Sequence, residues 1–399
     1  MDLRSDYPYW LLESGLPASY PSLHNDTTTD VAIIGAGVTG ALAAWYLRNT
    51  ALKVLVLERR HAGMGSTAAT TGLLQYEIDT PLASLQQMIG SSNANRCYML
   101  CKEAIDELSK ICKRFPLAEF KTRPSLQYAS SIKHVKALQK EYLLRKQLGI
   151  DLEWLSNQDI KSRFGFQKQA ALLSKSGAEI NAYAFTHALL KYCEKKNAEV
   201  YDHTEIKTIR RQGKSFKLTT SQGINIKAGK IVIACGYESA NWLPRRIENL
   251  HTTYAIVSEP VSGKEFWYGN ALIWETAVPY LYCRTTKDSR IVVGGLDDDF
   301  SAPFKRDRAL PRKAKMLEAS FLKLFPHLPF ITDFKWAGVF GSTKDGLPYV
   351  GNYPSKAGIY FSLGFGGNGI VFGVSGARII RDLINGRPNK NISLFSFSR

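Results

Sequence analysis

Short apolar runs alternate with amphipathic stretches along most of the chain, a pattern that predicts a mixture of strands and helices. The clearest unit lies near the start. A buried-strand run over 31–34 leads into a glycine turn, an apolar helix-like stretch covers 38–47, and a second apolar run covers 53–58. Strand, glycine turn, helix and strand in this order predict the start of a dinucleotide-binding fold.

The glycine turn places Gly35, Gly37 and Gly40 at the spacing of a phosphate-binding loop. Gly35 permits the tight turn, Gly37 lets the backbone approach a pyrophosphate, and Gly40 lets the helix pack closely on the strand. The helix begins at Val38 and Thr39, so its first N–H groups and the positive end of its dipole can face the phosphates.

An acidic residue, Glu58, ends the second strand, where its carboxylate can accept hydrogen bonds from ribose hydroxyls. Glu58 would repel a 2′-phosphate, which argues against NADP and leaves NAD and FAD. Arg59 and a run of small and hydroxyl residues over 63–72 follow, before apolar residues return at Leu73. Such a run can lie against a flat ring system and hold phosphates, and a flexible linker is the alternative.

Two further segments favour FAD over NAD. A strand over 230–236 ends in a small-residue turn, and another strand over 358–363 enters a glycine-rich turn before a helix that runs from Ile370 to about Ile384. The N-terminus of that helix can stabilise the negative charge of a reduced flavin. A second glycine loop facing the cofactor is not expected of a simple NAD dehydrogenase, and it suits an FAD stretched across the domain.

Four further segments, 253–257, 272–275, 280–284 and 290–295, show strand patterns. Their alternation of apolar and polar residues predicts an antiparallel sheet. Tyr280, Tyr282 and Arg284 share one face of the third strand. They form a candidate substrate wall, in which Arg284 can bind a carboxylate through two hydrogen bonds. The alternative is aromatic packing within the sheet, with Arg284 in a surface ion pair.

Composition sets broad limits on the class of protein. The chain has 399 residues, 45% of them hydrophobic. This length exceeds that of one compact domain and predicts two intertwined domains. The formal net charge is +17. A solvated basic surface explains it, and attraction to anionic substrates, nucleic acid or lipid is the alternative. No RNA-binding motif is present, so no nucleic-acid partner is expected.

No targeting or metal-binding segment stands out in the sequence. The first twenty residues carry scattered charges, so a secretory signal is not expected, and no run approaches roughly 18 apolar residues, the length of a membrane span. A cytoplasmic location is therefore expected. The six cysteines form no CxxC pair, which favours reduced structural thiols over a zinc site.

From about residue 29 to 388, the chain resembles the D-amino-acid-oxidase-like family of FAD-dependent oxidoreductases, which includes glycine oxidase, sarcosine oxidase and gamma-glutamylputrescine oxidase. The segments that carry the resemblance are 35–58, 65–74, 231–236, 343–351 and 364–370. The resemblance implies an α/β fold of two domains: a Rossmann-like FAD-binding domain and an interleaved antiparallel-sheet substrate domain. The expected ranges are 1–119, 167–240 and 335–399 for the FAD-binding domain, and 120–166 and 241–334 for the substrate domain.

The resemblance and the motifs together predict a cofactor site. The residues expected to bind FAD are Gly35, Gly37, Val38, Thr39, Gly40, Glu58, Arg59, Gly65, Ser66, Thr67, Thr71, Gly72, Leu73, Ile206, Ala234, Gly236, Gly364, Gly366, Gly367, Asn368, Gly369 and Ile370. The Ile206 backbone is implied to contact the adenine. FAD is expected to be non-covalent, because Ala69 stands where some relatives attach the flavin through a histidine, and no cysteine lies near 343.

The substrate site departs from the family pattern. Phe340 and Gly367 stand where glycine oxidase and similar enzymes carry arginines that grip the substrate carboxylate, whereas Tyr282 matches a substrate-contacting tyrosine. Val292 replaces the lysine that activates oxygen in sarcosine oxidase. The expectation therefore moves from a plain amino acid toward an amine, or toward a carboxylate held in another way by Arg284. The electron acceptor is either oxygen or a compound that the sequence does not identify.

The resemblance implies oxidation of a C–N bond, by hydride transfer from the alpha carbon of a neutral amine to flavin N5 and hydrolysis of the imine. No dedicated base is required, and His187, His203, His251 and His327 are expected to be structural or exposed. The run 297–299 is expected to be a solvated turn rather than a metal site. The alternatives are modification of an RNA-attached aminomethyl group, a flavin-binding subunit without turnover, and a plain NAD dehydrogenase. The oligomeric state is left open.

Overall fold

The computed structural model describes residues 2–261 and 266–399. The strands are β1 (Arg4–Ser5), β2 (Thr27–Ile34), β3 (Val54–Leu57), β4 (Leu73–Leu74), β5 (Lys121–Tyr128), β6 (Leu152–Ser156), β7 (Ala170–Glu179), β8 (Ala198–Tyr201), β9 (Ile206–Gln212), β10 (Ser215–Thr220), β11 (Asn225–Ile233), β12 (Asn249–Ser258), β13 (Leu272–Glu275), β14 (Tyr282–Thr285), β15 (Ile291–Asp298), β16 (Thr332–Ser342), β17 (Tyr349–Asn352) and β18 (Ile359–Leu363).

The helices alternate with these strands along most of the chain. They are α1 (Tyr9–Ser14), α2 (Val38–Leu47), α3 (Ser66–Ala69), α4 (Leu82–Ile89), α5 (Ser91–Cys112), α6 (Val135–Gln147), α7 (Asn157–Phe164), α8 (Ala182–Glu194), α9 (Pro303–Leu324) and α10 (Gly369–Ile384). Within the described ranges, no helix combines the length and the apolar character that crossing a membrane requires.

The first sheet has the strand order β17-β18-β11-β2-β3-β8, and the β9–β10 hairpin extends it from β11. The five strands from β18 to β8 are parallel, so their carboxyl ends meet at one edge. The predicted strand, turn, helix and strand are all present as β2, α2 and β3. Every residue of α2 is buried, because α8 and α10 pack against it. Ligands bind at the carboxyl edge in sheets of this kind.

The second sheet has the order β1-β16-β12-β15-β14-β13-β5-β7-β4, with β6 paired to β7. Its neighbouring strands are antiparallel, as predicted, except for the parallel pair β13 and β5. Helix α9 covers one face, where Leu317 and Phe321 share a buried cluster with Ile256 and Val293. Tyr282 lies on the opposite face, because it is adjacent in the strand to Cys283, which belongs to that cluster.

Sheet membership departs from the expected domain ranges at four strands. Strands β1, β4, β7 and most of β16 fall within 1–119, 167–240 or 335–399, but all four pair within the second sheet. The reason is that an apolar run predicts a buried strand without indicating which sheet it joins. The run over β7, for example, becomes the central partner of β4, β5 and β6.

Candidate active site

One elongated cavity of about 780 Å³ lies where the carboxyl edge of the first sheet meets the uncovered face of the second. Ile34 and Leu57, the last residues of β2 and β3, line one end. Thr253 of β12 and Tyr282 of β14 line the other. The loops that follow the parallel strands therefore share a single space with the second sheet.

The glycine turn after β2 leaves the start of α2 open to this cavity. A Cβ atom on Gly40 would lie 1.9 Å from the Gly35 carbonyl oxygen, so α2 can pack this closely only with glycine there. A Cβ on Gly37 would lie 3.0 Å from Thr67 Oγ1, which also accepts a hydrogen bond from the Val38 N–H at 3.0 Å. Thr67 thus satisfies the first N–H group of the helix, and glycine at position 37 leaves room for this contact.

Glu58 lines the same end and is tied to the turn. Its Oε2 accepts a hydrogen bond from the Ala36 N–H at 3.0 Å, and its Oε1 accepts from the Arg60 N–H at 2.9 Å. Arg59 and Arg60 both form ion pairs with Glu238, which lines the cavity as well. The end of the cavity formed by the glycine turn, Glu58 and these two arginines is called the nucleotide end. It combines backbone N–H groups, an acceptor carboxylate and guanidinium groups.

Most of the predicted cofactor residues come together here. Those that line the cavity are Gly35, Gly37, Val38, Thr39, Glu58, Arg59, Gly65, Ser66, Thr67, Thr71, Leu73, Ile206, Ala234, Gly236, Gly366, Gly367, Asn368, Gly369 and Ile370. Gly40, Gly72 and Gly364 do not line it. They lie behind it, where a Cβ would be 1.9 Å from Gly35 O, 2.2 Å from Ile180 O and 2.8 Å from Thr343 Cγ2, respectively.

The nucleotide end fits an FAD molecule. The glycine turn leaves a backbone cradle that a side chain at Gly37 would begin to fill. Ser66 lines the cavity, and its Oγ atom is buried without a hydrogen-bond partner in the described chain. A buried hydroxyl of this kind is normally satisfied, and a phosphate or ring oxygen would satisfy it.

The opposite end of the cavity is walled by aromatic side chains. Tyr280 and Tyr282 pack with their ring centroids 5.8 Å apart, and Phe340 lines the same space. A Cβ on Gly294 would lie 2.3 Å from the Tyr282 hydroxyl oxygen, so glycine at that position makes room for the ring. Burial raises the pKa of Tyr282 to about 12, which keeps its phenol protonated as a hydrogen-bond donor.

Arg284 follows the predicted alternation, but the structure does not bring it to the cavity. Its Nε donates to the Thr71 carbonyl oxygen at 2.8 Å, and its Nη1 lies 3.4 Å from Glu179 Oε2. The guanidinium group also lies over the Trp10 ring, 4.8 Å from the centroid. The side chain is 3% exposed. Arg284 therefore sits behind the loop that carries Thr71, and neither the predicted carboxylate grip nor the alternative surface ion pair describes its position.

Two acidic residues at the aromatic end were missed by sequence reasoning. Asp79 lines the cavity, and its Oδ2 accepts a hydrogen bond from the Gly367 N–H at 2.8 Å. Asp297 also lines it, although 297–299 was expected to be a solvated turn. In the structure, Asp298 is the last residue of β15 and pairs with Lys313, while the Asp299 side chain is 97% exposed. Plain alternation along β15 would place Asp297 on the same face as the buried Val293. A register shift opposite Gly295 and Asp298, with positive φ angles at Gly295 and Leu296, breaks that alternation, so the sequence pattern gave no signal for Asp297.

The four histidines singled out from the sequence lie outside the cavity lining. His187 is buried, and burial lowers its pKa to about 4, while His251 bonds to Asp299 and Ser342. Among the described residues that line the cavity, the one histidine is His134, at the start of α6.

Comparison with known proteins also indicates a chain that binds FAD. The family model for FAD dependent oxidoreductases (DAO) matches residues 30–383. A putative Rieske 2Fe-2S iron-sulfur protein of Bacillus subtilis is 23% identical, over 98% of this chain and 75% of that protein. Glycine oxidase of Geobacillus kaustophilus is 24% identical, over 93% of this chain and 97% of that enzyme.

The fold is similar to that of solved structures. The crystal structure of L-proline dehydrogenase from P. horikoshii matches with a TM-score of 0.79 and 17% identity, over 94% of this chain and 97% of that one. The expected fold and cofactor class are thereby confirmed. Since the family model spans most of the sequence, the chain belongs to the DAO family of FAD-dependent oxidoreductases.

Proposed function

We propose that this chain oxidises a C–N bond in an amine or amino-acid-like small molecule, with non-covalently bound FAD as the hydride acceptor. One observation carries the proposal: a single continuous cavity joins the nucleotide end to a wall formed by Tyr280, Tyr282 and Phe340. Two similar proteins, a glycine oxidase and an L-proline dehydrogenase, support a substrate with nitrogen beside the reacting carbon.

Bound FAD would supply flavin N5, which takes the hydride from the carbon next to nitrogen, and the resulting imine hydrolyses in water. The chain's part is to bind, orient and shield the substrate. Phe340 and Val339 offer apolar surface to its carbon skeleton, and the Tyr282 phenol can donate a hydrogen bond that fixes its orientation. The reacting amine must be neutral, because protonation would occupy the lone pair that drives hydride loss.

Non-covalent binding is supported by the side chains that line the cavity. Ala69 lies against it and carries no nucleophile. The Cys235 thiol also lines it, but it donates a hydrogen bond to the Ile34 carbonyl oxygen, and burial raises its pKa. A thiol kept neutral in this way is a poor nucleophile.

The test is to purify the protein and denature it, and to mix it without oxygen with amines, N-methyl amino acids, D-amino acids and cyclic imino acids. Release of free FAD on denaturation and bleaching of the flavin by one of these classes are expected. Readmitting oxygen, or adding an artificial acceptor, then shows which acceptor reoxidises the flavin. A protein without flavin, or a flavin that no amine bleaches, would overturn the proposal.

Replacing Gly37 with valine is expected to weaken FAD binding at least tenfold, a loss of about 1.4 kcal/mol. The reason is that even a Cβ would approach Thr67 Oγ1 to 3.0 Å, and the larger branched side chain would fill the cradle. Titration of apoprotein with FAD, followed by flavin fluorescence, measures the change. Thr208→Val is the control, since Thr208 lies in β9 with an exposed side chain and outside the cavity lining, and equal affinity in both variants would contradict the role of Gly37.

Replacing Tyr282 with phenylalanine is expected to lower turnover about fivefold while FAD stays bound, because one oriented hydrogen bond is worth roughly 1 kcal/mol. The measurement is the rate of flavin reduction by the substrate found above, with FAD content determined in parallel. Tyr268→Phe is the control, because Tyr268 is 48% exposed and lies outside the cavity lining. Wild-type reduction kinetics in Tyr282→Phe would remove this phenol from the site.

A further inference from the structure

The aromatic end of the cavity carries negative charge. Asp79 lies within the protein but its side chain is exposed to the cavity, with Oδ2 on the Gly367 N–H at 2.8 Å and Oδ1 3.5 Å from the Tyr280 hydroxyl. Neither contact neutralises a carboxylate. In the described ranges, no lysine or arginine forms an ion pair with Asp79.

Two more carboxylates line the cavity with oxygens that have no partner. The Oδ1 atom of Asp297 is buried without a hydrogen bond among the described residues. The Oε2 atom of Glu77 is likewise without one, although its Oε1 atom lies 3.9 Å from Arg145 Nη1 and the residue is 5% exposed. Burial raises the pKa of Asp297 to about 6, with a further increase from the charge of Asp79 and a partial offset from a hydrogen bond with Thr253. A buried acceptor without a donor costs free energy unless something that binds there supplies one.

The cations that line the cavity either pair with other acidic residues or are exposed to solvent. Arg59 and Arg60 lie at the nucleotide end, where both pair with Glu238, and Lys207 follows Ile206 at the same end. Lys140 lies on α6 and its side chain is exposed. No guanidinium or ammonium group of the described lining therefore neutralises Asp79 or Asp297 through an ion pair.

We propose that the substrate is a diamine: an amine that carries a second, positively charged nitrogen, which Asp79 and Asp297 bind while the first nitrogen, uncharged, undergoes oxidation. This inference rests on the proposed function and names its substrate class. A substrate carboxylate placed beside Asp79 would bring like charges together in a partly desolvated site. An ammonium group there gains two charge-assisted hydrogen bonds, because it has three N–H donors and the carboxylates have free acceptor positions.

The experiment compares three probes of equal chain length: 1,4-diaminobutane, butylamine and 4-aminobutanoate. They end in an ammonium, a methyl and a carboxylate group. Binding to the FAD-loaded protein is measured without oxygen by calorimetry and by perturbation of the flavin spectrum, and reduction of the flavin is followed separately. We expect the dissociation constant of the diamine to be at least tenfold lower than that of either other probe.

Substitutions of the two carboxylates test whether they cause the preference for the diamine. Asp79→Asn keeps the shape and an acceptor for the Gly367 N–H but removes the charge, so the diamine should bind at least tenfold more weakly while butylamine binding stays the same. Asp299→Asn is the matched control, since its side chain is 97% exposed and faces away from the cavity lining. FAD content and thermal stability, measured for both variants, show whether Asp79→Asn is folded. The Asp297→Asn variant repeats the test at the second carboxylate.

These measurements distinguish failure of the diamine inference from failure of the proposed C–N oxidation. If butylamine or 4-aminobutanoate binds as tightly as the diamine, or if Asp79→Asn leaves diamine binding unchanged, the diamine inference is overturned and C–N oxidation can still stand. If the diamine binds selectively but no amine reduces the flavin, the inference about the acidic site holds and the proposed reaction fails.

Discussion

Arg284→Leu is expected to lower the free energy of unfolding by about 3 kcal/mol, as is found when one partner of a buried ion pair is removed. Arg284 is 3% exposed and bridges Glu179 of β7 to the carbonyl of Thr71. Without it, the Glu179 carboxylate keeps, among the residues that the structure describes, only the bond from Arg123 at 2.9 Å, and the Thr71 carbonyl loses the donor Arg284 Nε. Because Thr71 lines the cavity, weaker FAD binding should accompany the loss of stability.

A double-mutant cycle distinguishes this structural role from a substrate grip. Removing both charges, as in Arg284→Leu with Glu179→Leu, should cost less than the sum of the single substitutions, because neither of the two residues then leaves the other as a buried charge without its partner. Urea unfolding at a fixed excess of FAD measures all four proteins. If Arg284 instead held a substrate carboxylate, Arg284→Leu would leave stability unchanged and weaken only ligands that carry a carboxylate.

The nucleotide end was the part of the site best predicted from the sequence, because its chemistry is local. Gly35, Gly37 and Gly40 define a turn within six residues, and the helix that follows has the predicted bounds, Val38–Leu47. The packing of Gly40 on the Gly35 carbonyl follows from that spacing alone. It is harder to predict which residues of a turn face a ligand and which support the turn from behind. Gly72 and Gly364 were expected to bind FAD, but they lie behind the cavity lining.

The aromatic end was predicted only in part, because it is assembled from distant segments. Asp79 and Gly367 are 288 positions apart in sequence, and the hydrogen bond that joins them depends on the packing of one sheet against the other. Alternation along β14 correctly places Tyr282 and Arg284 on one face. It does not show that the loop at Thr71 covers Arg284 and leaves Tyr282 open to the cavity.

Glu248→Gln is expected to stabilise the protein, and to do so only at neutral and alkaline pH. Glu248 is 3% exposed, and neither carboxylate oxygen has a hydrogen-bond partner among the described residues. Its Oε2 would lie 2.9 Å from a Cβ on Gly341, so the carboxyl group is packed against the backbone of β16. Burial raises its pKa from the ordinary 4.5 to about 7, and the charge of Arg246 offsets this only in part.

The direction in which stability changes with pH follows from the difference in the Glu248 pKa between the folded and the unfolded chain. Below pH 4.5, Glu248 is protonated in both the folded and the unfolded chain, so it does not oppose folding. Between pH 4.5 and about 7, the unfolded chain ionises while the folded one keeps the proton, and wild-type stability falls as the pH rises. Above pH 7 the whole penalty, about 3 kcal/mol, is present. Glutamine does not titrate and avoids it.

Urea unfolding of the wild type and Glu248→Gln at pH 5 and pH 8, with FAD in fixed excess, measures this difference. The variant should exceed the wild type by less than about 1 kcal/mol at pH 5 and by about 3 kcal/mol at pH 8. Glu259→Gln is the control, because Glu259 is exposed and should give the same small difference at both values. A stability gain in Glu248→Gln that does not change with pH would mean that shape, and not the buried charge, limits stability at this position.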